Sequence, residues 1–207
     1  MRKIYALIAI VGTCLVVAST SACSDHGSTP RSPSTSAAEA TGEPNATSSE
    51  TAPTVTAELD TSKYADTPCE ALTGPQITEL ELSQQGEQNQ LSSGDQSCSW
   101  KFGTQLDWSV QLAFVTPDTE NGLQNEYDLH ASGFFEDGYF EPTEVAGYPG
   151  VYSSPSDGRP QGVCSLAVGA SSETMLTVQI IGEAGKDNCK AASTVAARAL
   201  DTIKAGA

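Results

Sequence analysis

The chain has 207 residues, and its 10 Lys+Arg against 26 Asp+Glu give a formal net charge of −16. Loss of Arg2 and Lys3 with an export signal would take the remainder to 8 − 26 = −18, a surface that repels phosphate backbones and anionic headgroups. Nucleic acid and charge-driven membrane binding are thereby excluded as roles, and the length suits one domain plus a tail, since domains commonly run to about 100–200 residues.

Arg2 and Lys3 precede an almost unbroken apolar run over residues 4–18, followed by the small residues Ser19-Thr20-Ser21-Ala22. This is the pattern of an export signal over residues 1–22. The run falls short of the roughly 20 apolar residues that a retained transmembrane helix needs. Ser21-Ala22-Cys23 has the form of the end of a bacterial lipobox, whose cysteine thiol receives a diacylglycerol, so Cys23 is the expected lipidation site. Thr20 stands where Leu, Val or Ile is usual, which leaves ordinary cleavage and secretion as the alternative. The expected location is the outer face of the cell membrane. Each buried methylene of the acyl chains contributes about 0.8 kcal/mol to that attachment.

Residues 23–66 are rich in Ser, Thr, Ala, Pro and Glu, with almost no large apolar residue before Val55. A segment of this composition cannot bury a core, so it reads as a disordered tether that lifts the domain off the membrane. Asn45-Ala46-Thr47 fits the N-glycosylation pattern, although a plain solvated linker is the preferred reading.

The domain is expected over residues 67–207. Thr73, Pro75 and Gln76 mark a helix start, with Thr73 as N-cap, Gln76 as its capping-box partner and Leu72 with Ile77 as the staple. Gly86 and the polar run after it are expected to end that helix. Cys98, Trp100 and Phe102, then Leu106, Trp108, Val110, Leu112 and Phe114, alternate with polar residues across Gly103-Thr104-Gln105, the pattern of a hairpin with one buried face. Both tryptophans sit on the apolar set and are expected in the core.

Leu123, Tyr127, Ala131 and Phe134 suggest a helix that closes at Gly133, followed by an acidic loop carrying Phe134, Phe135, Tyr139 and Phe140. Between Asp118 and Glu144 stand eight carboxylates and no Lys or Arg. Asp118-Thr119-Glu120-Asn121-Gly122 resembles a calcium loop, but the glycine comes one place early and Leu129 holds the twelfth position, so the EF-hand pattern fails. Residues 145–152 read as a short strand interrupted by a turn. Cys164, Leu166 and Val168, then Met175 to Ile181, form a second hairpin whose later strand is apolar enough to be central. Asp187 caps a last helix with the stripe Cys189, Ala192, Ala196, Leu200 and Ile203, and Lys186, Lys190, Arg198 and Lys204 make its outer side basic.

Cys14 lies in the signal, so Cys69, Cys98, Cys164 and Cys189 remain in an exported domain, an even number that reads as two disulfides. A four-thiolate zinc site is the alternative, but the close CxxC pairs of such sites are missing. Three connectivities are possible. Pairing of sequential neighbours, Cys69–Cys98 and Cys164–Cys189, is the expectation, and by loop-closure entropy each bridge stabilises by about 3.5 kcal/mol.

Pro68-Cys69-Glu70-Ala71-Leu72-Thr73, Cys98-Ser99-Trp100, Gly147-Tyr148-Pro149, Cys164 in a strand and Cys189 opening an alanine-rich helix together carry a resemblance. Over about residues 67–207 the chain resembles the actinobacterial lipoproteins grouped as domain of unknown function 3558. The resemblance implies an envelope lipoprotein and supplies no activity. Ala71-Leu72 stands where the family usually has paired leucines.

Catalytic signatures are sparse. The two histidines are His26 in the tether and His130 on the middle helix, so a nucleophile-base arrangement could draw only on His130, with Asp128 or Glu126 beside it. The carboxylate pairs Glu136-Asp137 and Glu141 with Glu144 could serve a glycosidase only across a substrate cleft. No phosphate loop, GxSxG, HExxH or CxxC is present. The expectation is an α+β domain, an antiparallel sheet with helices packed on it, that needs no cofactor and no metal. Its expected role is a non-catalytic binding module for an envelope ligand or protein partner, held either between sheet and helices or on the aromatic loop. The alternatives are an accessory subunit of an envelope complex and, last, a hydrolase.

Overall fold

The structure is a computed structural model and describes residues 51–117 and 121–206. The expected signal, Cys23, the Asn45 pattern, tether residues 23–50, and Asp118 and Glu120 of the calcium-like loop lie outside these residues.

Period-two patterning gives strands β1 (Glu87–Gln90), β2 (Gln96–Phe102), β3 (Trp108–Val115), β4 (Tyr139–Val145), β5 (Tyr148–Ser154), β6 (Val163–Gly169) and β7 (Met175–Ile181). They form one seven-stranded sheet in the order β1-β2-β3-β7-β6-β5-β4. Every neighbouring pair is antiparallel. Strand β7, apolar and β-branched, occupies the centre, as its composition predicts. The helices are α1 (Ser62–Asp66), α2 (Gly74–Glu79), α3 (Gln124–Ala131) and α4 (Asn188–Gly206). The α+β architecture is the expected one.

The two faces of the sheet are covered differently. On the first, Leu166, Val168, Leu176, Val178 and Ile180 are buried beneath α4, whose Ala192, Ala196, Leu200 and Ile203 are at most 1% exposed, while Cys98, Trp100, Val110, Leu112 and Phe114 of β2 and β3 join the same core beneath α1 and the turn Pro68–Ala71. The alanines bring α4 close to the sheet. Asp187 caps it, its Oδ1 accepting the Lys190 N–H at 2.9 Å. At the start of α2 the Thr73 N–H donates to Gln76 Oε1 at 2.7 Å, the capping box expected from Thr73 and Gln76. Gln76 Nε2 in turn donates to the Arg198 carbonyl at 3.0 Å, and Arg198 pairs with Glu79, so α2 is fastened to α4.

The second face carries α3, the crossover from β3 to the far edge strand β4, with Ala52 packed beside it. Leu123 and Tyr127 of this segment pack on Val151, Ala167 and Met175 near one end of the central strands. The remainder of this face, over β2, β3 and β7, is largely polar, with Ile181 exposed at its edge.

Two disulfides, Cys69–Cys98 and Cys164–Cys189, join sequential neighbours as expected, and with all four thiols paired the zinc alternative falls. The first ties the 3₁₀ turn Pro68–Ala71 to β2; the second ties β6 to the first turn of α4.

Several expectations are corrected. Residues 51–66 are not tether: Tyr64 on α1 is 6% exposed, Val55 and Leu59 pack against the main core, and the Leu59 N–H donates to the Ala170 carbonyl at 2.9 Å. A few apolar side chains suffice where a finished sheet offers them a surface. The polar run after Gly86 is the edge strand β1, all four residues exposed, so it needs no apolar alternation. Leu106 is not in the second strand of the first hairpin; it sits in the turn at φ 57° and is 52% exposed. Tyr139 and Phe140 begin β4 and leave only Phe134 and Phe135 in the loop. Residues 145–152 belong to a longer hairpin, β4–β5, turned by Ala146 and Gly147 at φ 52° and 86°, the left-handed pair that a two-residue hairpin requires.

Candidate functional site

The polar face acquires a concavity where α3 stands over β3, β7, β6 and β5. It is a groove of about 450 Å³, within the range of small-molecule sites, about 300–1,000 Å³. Its floor follows from strand register. Gln111 on β3 lies opposite Gln179 on β7, which lies opposite Ser165 on β6; one row along, Thr177 and Ala167 are paired. Period two points this set away from the α4 core and toward α3. Gln179 Nε2 donates to Ser165 Oγ at 3.2 Å, and Gln111 Nε2 to Ser97 Oγ at 3.4 Å.

The groove opens because β5 and β6 part. Their pairing runs only from Gly150 to Tyr152 on β5. Beyond it the Ser165 N–H donates instead to the Tyr139 hydroxyl at 3.0 Å, while Ser153, Ser154 and Pro155 line the gap. Arg159 holds Tyr139 in place: its guanidinium lies 4.1 Å over the ring and bonds Glu141 at 2.6 Å and Asp157 at 2.8 Å. Those bonds from Arg159 hold the Asp157 carboxyl down at about 2. Burial pushes the Tyr139 hydroxyl up, and its bond from the Ser165 N–H pulls part of the way back.

The wall is α3 and the turn after it, which supply Glu126, Leu129, Phe134 and Phe135. Among the described residues Glu126 is the one ionisable side chain lining the groove, and no Lys or Arg lines it. Its Oε2 accepts the Ser153 hydroxyl at 2.6 Å. Burial raises its pKa above the ordinary carboxyl value, and the Ser153 bond opposes that in part. Phe134 is 51% exposed and meets Phe135 edge-on at 5.2 Å, so an uncovered aromatic ring borders a polar floor.

The other residues singled out from sequence are dispersed. Asp128 is exposed and takes bonds from Gln124 Nε2 and Asn121 Nδ2 at 2.9 and 3.2 Å. His130 is exposed and stacked on Phe140, centroids 4.1 Å apart. The structure therefore does not join either to Glu126. Glu136 and Asp137 are exposed in the turn after α3, and Glu141 and Glu144, three apart on a strand, point to opposite faces. The helical stripe proposed for α3 is half right: Leu123 and Tyr127 are buried, but Ala131 and Phe134 are exposed.

The basic side of α4 is partly neutralised. Arg198 pairs with Glu79 and Asp201, and Lys204 lies 4.6 Å over the Tyr148 ring and bonds the Ala146 carbonyl. Among the described residues no group of three or more His, Cys, Asp or Glu is placed to hold a metal ion, and no helix is long and apolar enough to cross a membrane.

Sequence reasoning missed Gln111, Thr177, Gln179 and Ser165 because each is simply the outward partner in an alternating strand. Only the register between strands far apart in the chain gathers them. No curated protein and no solved structure matches the chain. The family described as Protein of unknown function (DUF3558) matches over residues 18–202, most of the length, and includes both disulfides, the whole sheet and the groove; the chain belongs to that family.

Proposed function

We propose that this chain is a non-catalytic binding protein of the cell envelope, which captures a small ligand in the groove between α3 and the open sheet face. The observation that carries the reading is a concavity in which a half-buried carboxyl, Glu126, and an exposed ring, Phe134, border a floor of amides and hydroxyls. Pockets of this size with a few convergent polar groups and one carboxyl shifted by burial are the usual form of a ligand site. Among the described residues Glu126 bonds Ser153 and neither His130 nor another carboxylate, which supports binding over an acid–base pair.

An export signal ending at Ala22 and a lipid on Cys23 would hold the domain at the outer face of the cell membrane, with residues 24–50 giving it reach. Such a protein presents or buffers its ligand and needs no cofactor.

Native mass spectrometry of the full-length protein, recovered gently from its own host's envelope, tests the reading. A small non-covalent mass is expected on the wild type and not on the Phe134→Ala, Gln179→Ala double variant. An empty wild-type domain, or a whole protein subunit as the sole companion, would overturn the reading, the second outcome in favour of an accessory role.

A further inference from the structure

We infer that the groove takes a neutral saccharide, an inference that rests on its being a ligand site. Four features of the walls and floor point to that class.

The floor is built from groups that both donate and accept. Gln179 spends one N–H on Ser165 and Gln111 one on Ser97; among the described residues their carbonyl oxygens and second N–H groups are not engaged. A planar amide offering a donor beside an acceptor matches a vicinal diol, in which one hydroxyl gives and its neighbour takes. Thr177 adds a hydroxyl in the next row, and the Glu126 carboxyl stands on the opposite wall.

The aromatic wall has the complementary character. A pyranose has an apolar C–H face as well as its hydroxyl rim, and Phe134, half exposed and braced edge-on by Phe135, offers a flat surface for that face.

Charge excludes the acidic classes of ligand. Among the described residues no Lys or Arg lines the groove, so a phosphorylated or carboxylated ligand would leave water for a site without a counter-charge, in a chain of net charge −16.

The polar floor counts against a purely apolar ligand, although Leu129, Phe134, Phe135, Pro155, Leu166 and Ala167 line the same groove. An acyl chain lying on Gln111, Thr177, Gln179 and Ser165 would strip water from each without returning a hydrogen bond. A free ammonium would find one carboxyl, already bonded to Ser153 and favoured by burial in its neutral form.

The test uses the full-length protein and a panel of neutral trisaccharides: maltotriose, cellotriose, mannotriose and galactotriose, at millimolar concentration. Saturation transfer to sugar protons is read together with the side-chain amide signals of Gln111 and Gln179. At least one sugar is expected to receive saturation and to move both pairs of amide signals. Phe134→Ala should weaken that binding by roughly threefold to tenfold, the value of one stacked ring. Gln179→Ala should weaken it by roughly twofold to tenfold, the value of a hydrogen bond. Both side chains are at the surface, so the variants should keep the wild-type circular dichroism.

Silence across the panel, or saturation without movement of the two glutamines, overturns the saccharide inference. If decanoate, spermidine or glucose 6-phosphate moves those signals and the neutral sugars do not, the ligand class is wrong and the groove reading stands. If neither these probes nor a soluble extract of the host's envelope moves them, the groove reading falls as well.

Discussion

Replacing Tyr64 by alanine tests whether residues 51–66 belong to the fold. Its ring is 6% exposed and lies 6.0 Å from that of Phe114, on the face of the sheet that α4 also covers. Removing a buried ring of this kind costs about 3–5 kcal/mol, the lost transfer energy together with the cavity left behind. At roughly 2–4 °C per kcal/mol for a domain of this size, a 3 kcal/mol loss lowers Tm by about 6–12 °C. A chain that starts at Thr67 should lose more, since Val55 and Leu59 go with Tyr64. It should also loosen the groove wall: the Ala52 N–H donates to Gln124 Oε1 on α3 at 2.8 Å, and the Ser172 N–H to Glu58 Oε1 at 2.9 Å. Thermal unfolding followed by circular dichroism reads the first effect, and hydrogen exchange at the α3 amides reads the second. A Tyr64→Ala midpoint equal to the wild type, with unchanged α3 protection in the shortened chain, would refute the reasoning.

Gly86→Ala should destabilise by about 1–2 kcal/mol net, overpacking offset in part by the stiffer unfolded chain. Its Cβ would collide with Cys98 Sγ and come 2.7 Å from Trp100 Nε1, both buried; Gly74→Ala, with nothing within 4 Å, is the matched control and should be neutral or stabilising in urea unfolding. Glu126→Gln tests the sign of a pH effect. Because burial raises the native pKa, the folded protein keeps a proton that the unfolded chain releases near pH 4.3, so wild-type stability falls as pH rises from about 4.3 through the higher native value. The glutamine variant should match the wild type in Tm below about pH 4 and exceed it at pH 7; a gain confined to acid would contradict this. Replacing both Cys164 and Cys189 by alanine should lower the unfolding free energy by about 3.5 kcal/mol through loop entropy, over a separation of 25 residues, and an unchanged urea midpoint would count against it.

The elements legible in the sequence are those whose signal is local. Thr73 with Gln76, the alternation around Trp100 and Val110, and the Ala192-Ala196-Leu200 stripe each declare their structure within a dozen residues, and the disulfides join the sequential neighbours expected among three possible connectivities. Strand β1 was hidden because an exposed edge strand needs no apolar face. The segment around Tyr64 was hidden because scattered apolar residues in a polar run acquire a partner only when the sheet exists. The groove depends on register between β3 and β7, which no local pattern encodes. Of its residues, Glu126, Phe134 and Phe135 stand out in the sequence, but as parts of a histidine constellation and of an acidic loop; the parting of β5 from β6 that makes room beside them rests on the Tyr139–Ser165 bond.

The central claim is that the open sheet face beneath α3 is where a ligand sits. Its most direct test is to record the side-chain amide spectrum of the isotopically labelled full-length protein before and after adding a soluble extract of its host's envelope. The Gln111 and Gln179 signals should move, while those of Gln88 and Asn89 on the far edge strand β1 stay fixed. Movement confined to β1, or to backbone amides on the basic side of α4 around Lys190 and Arg198, would place binding elsewhere and contradict it.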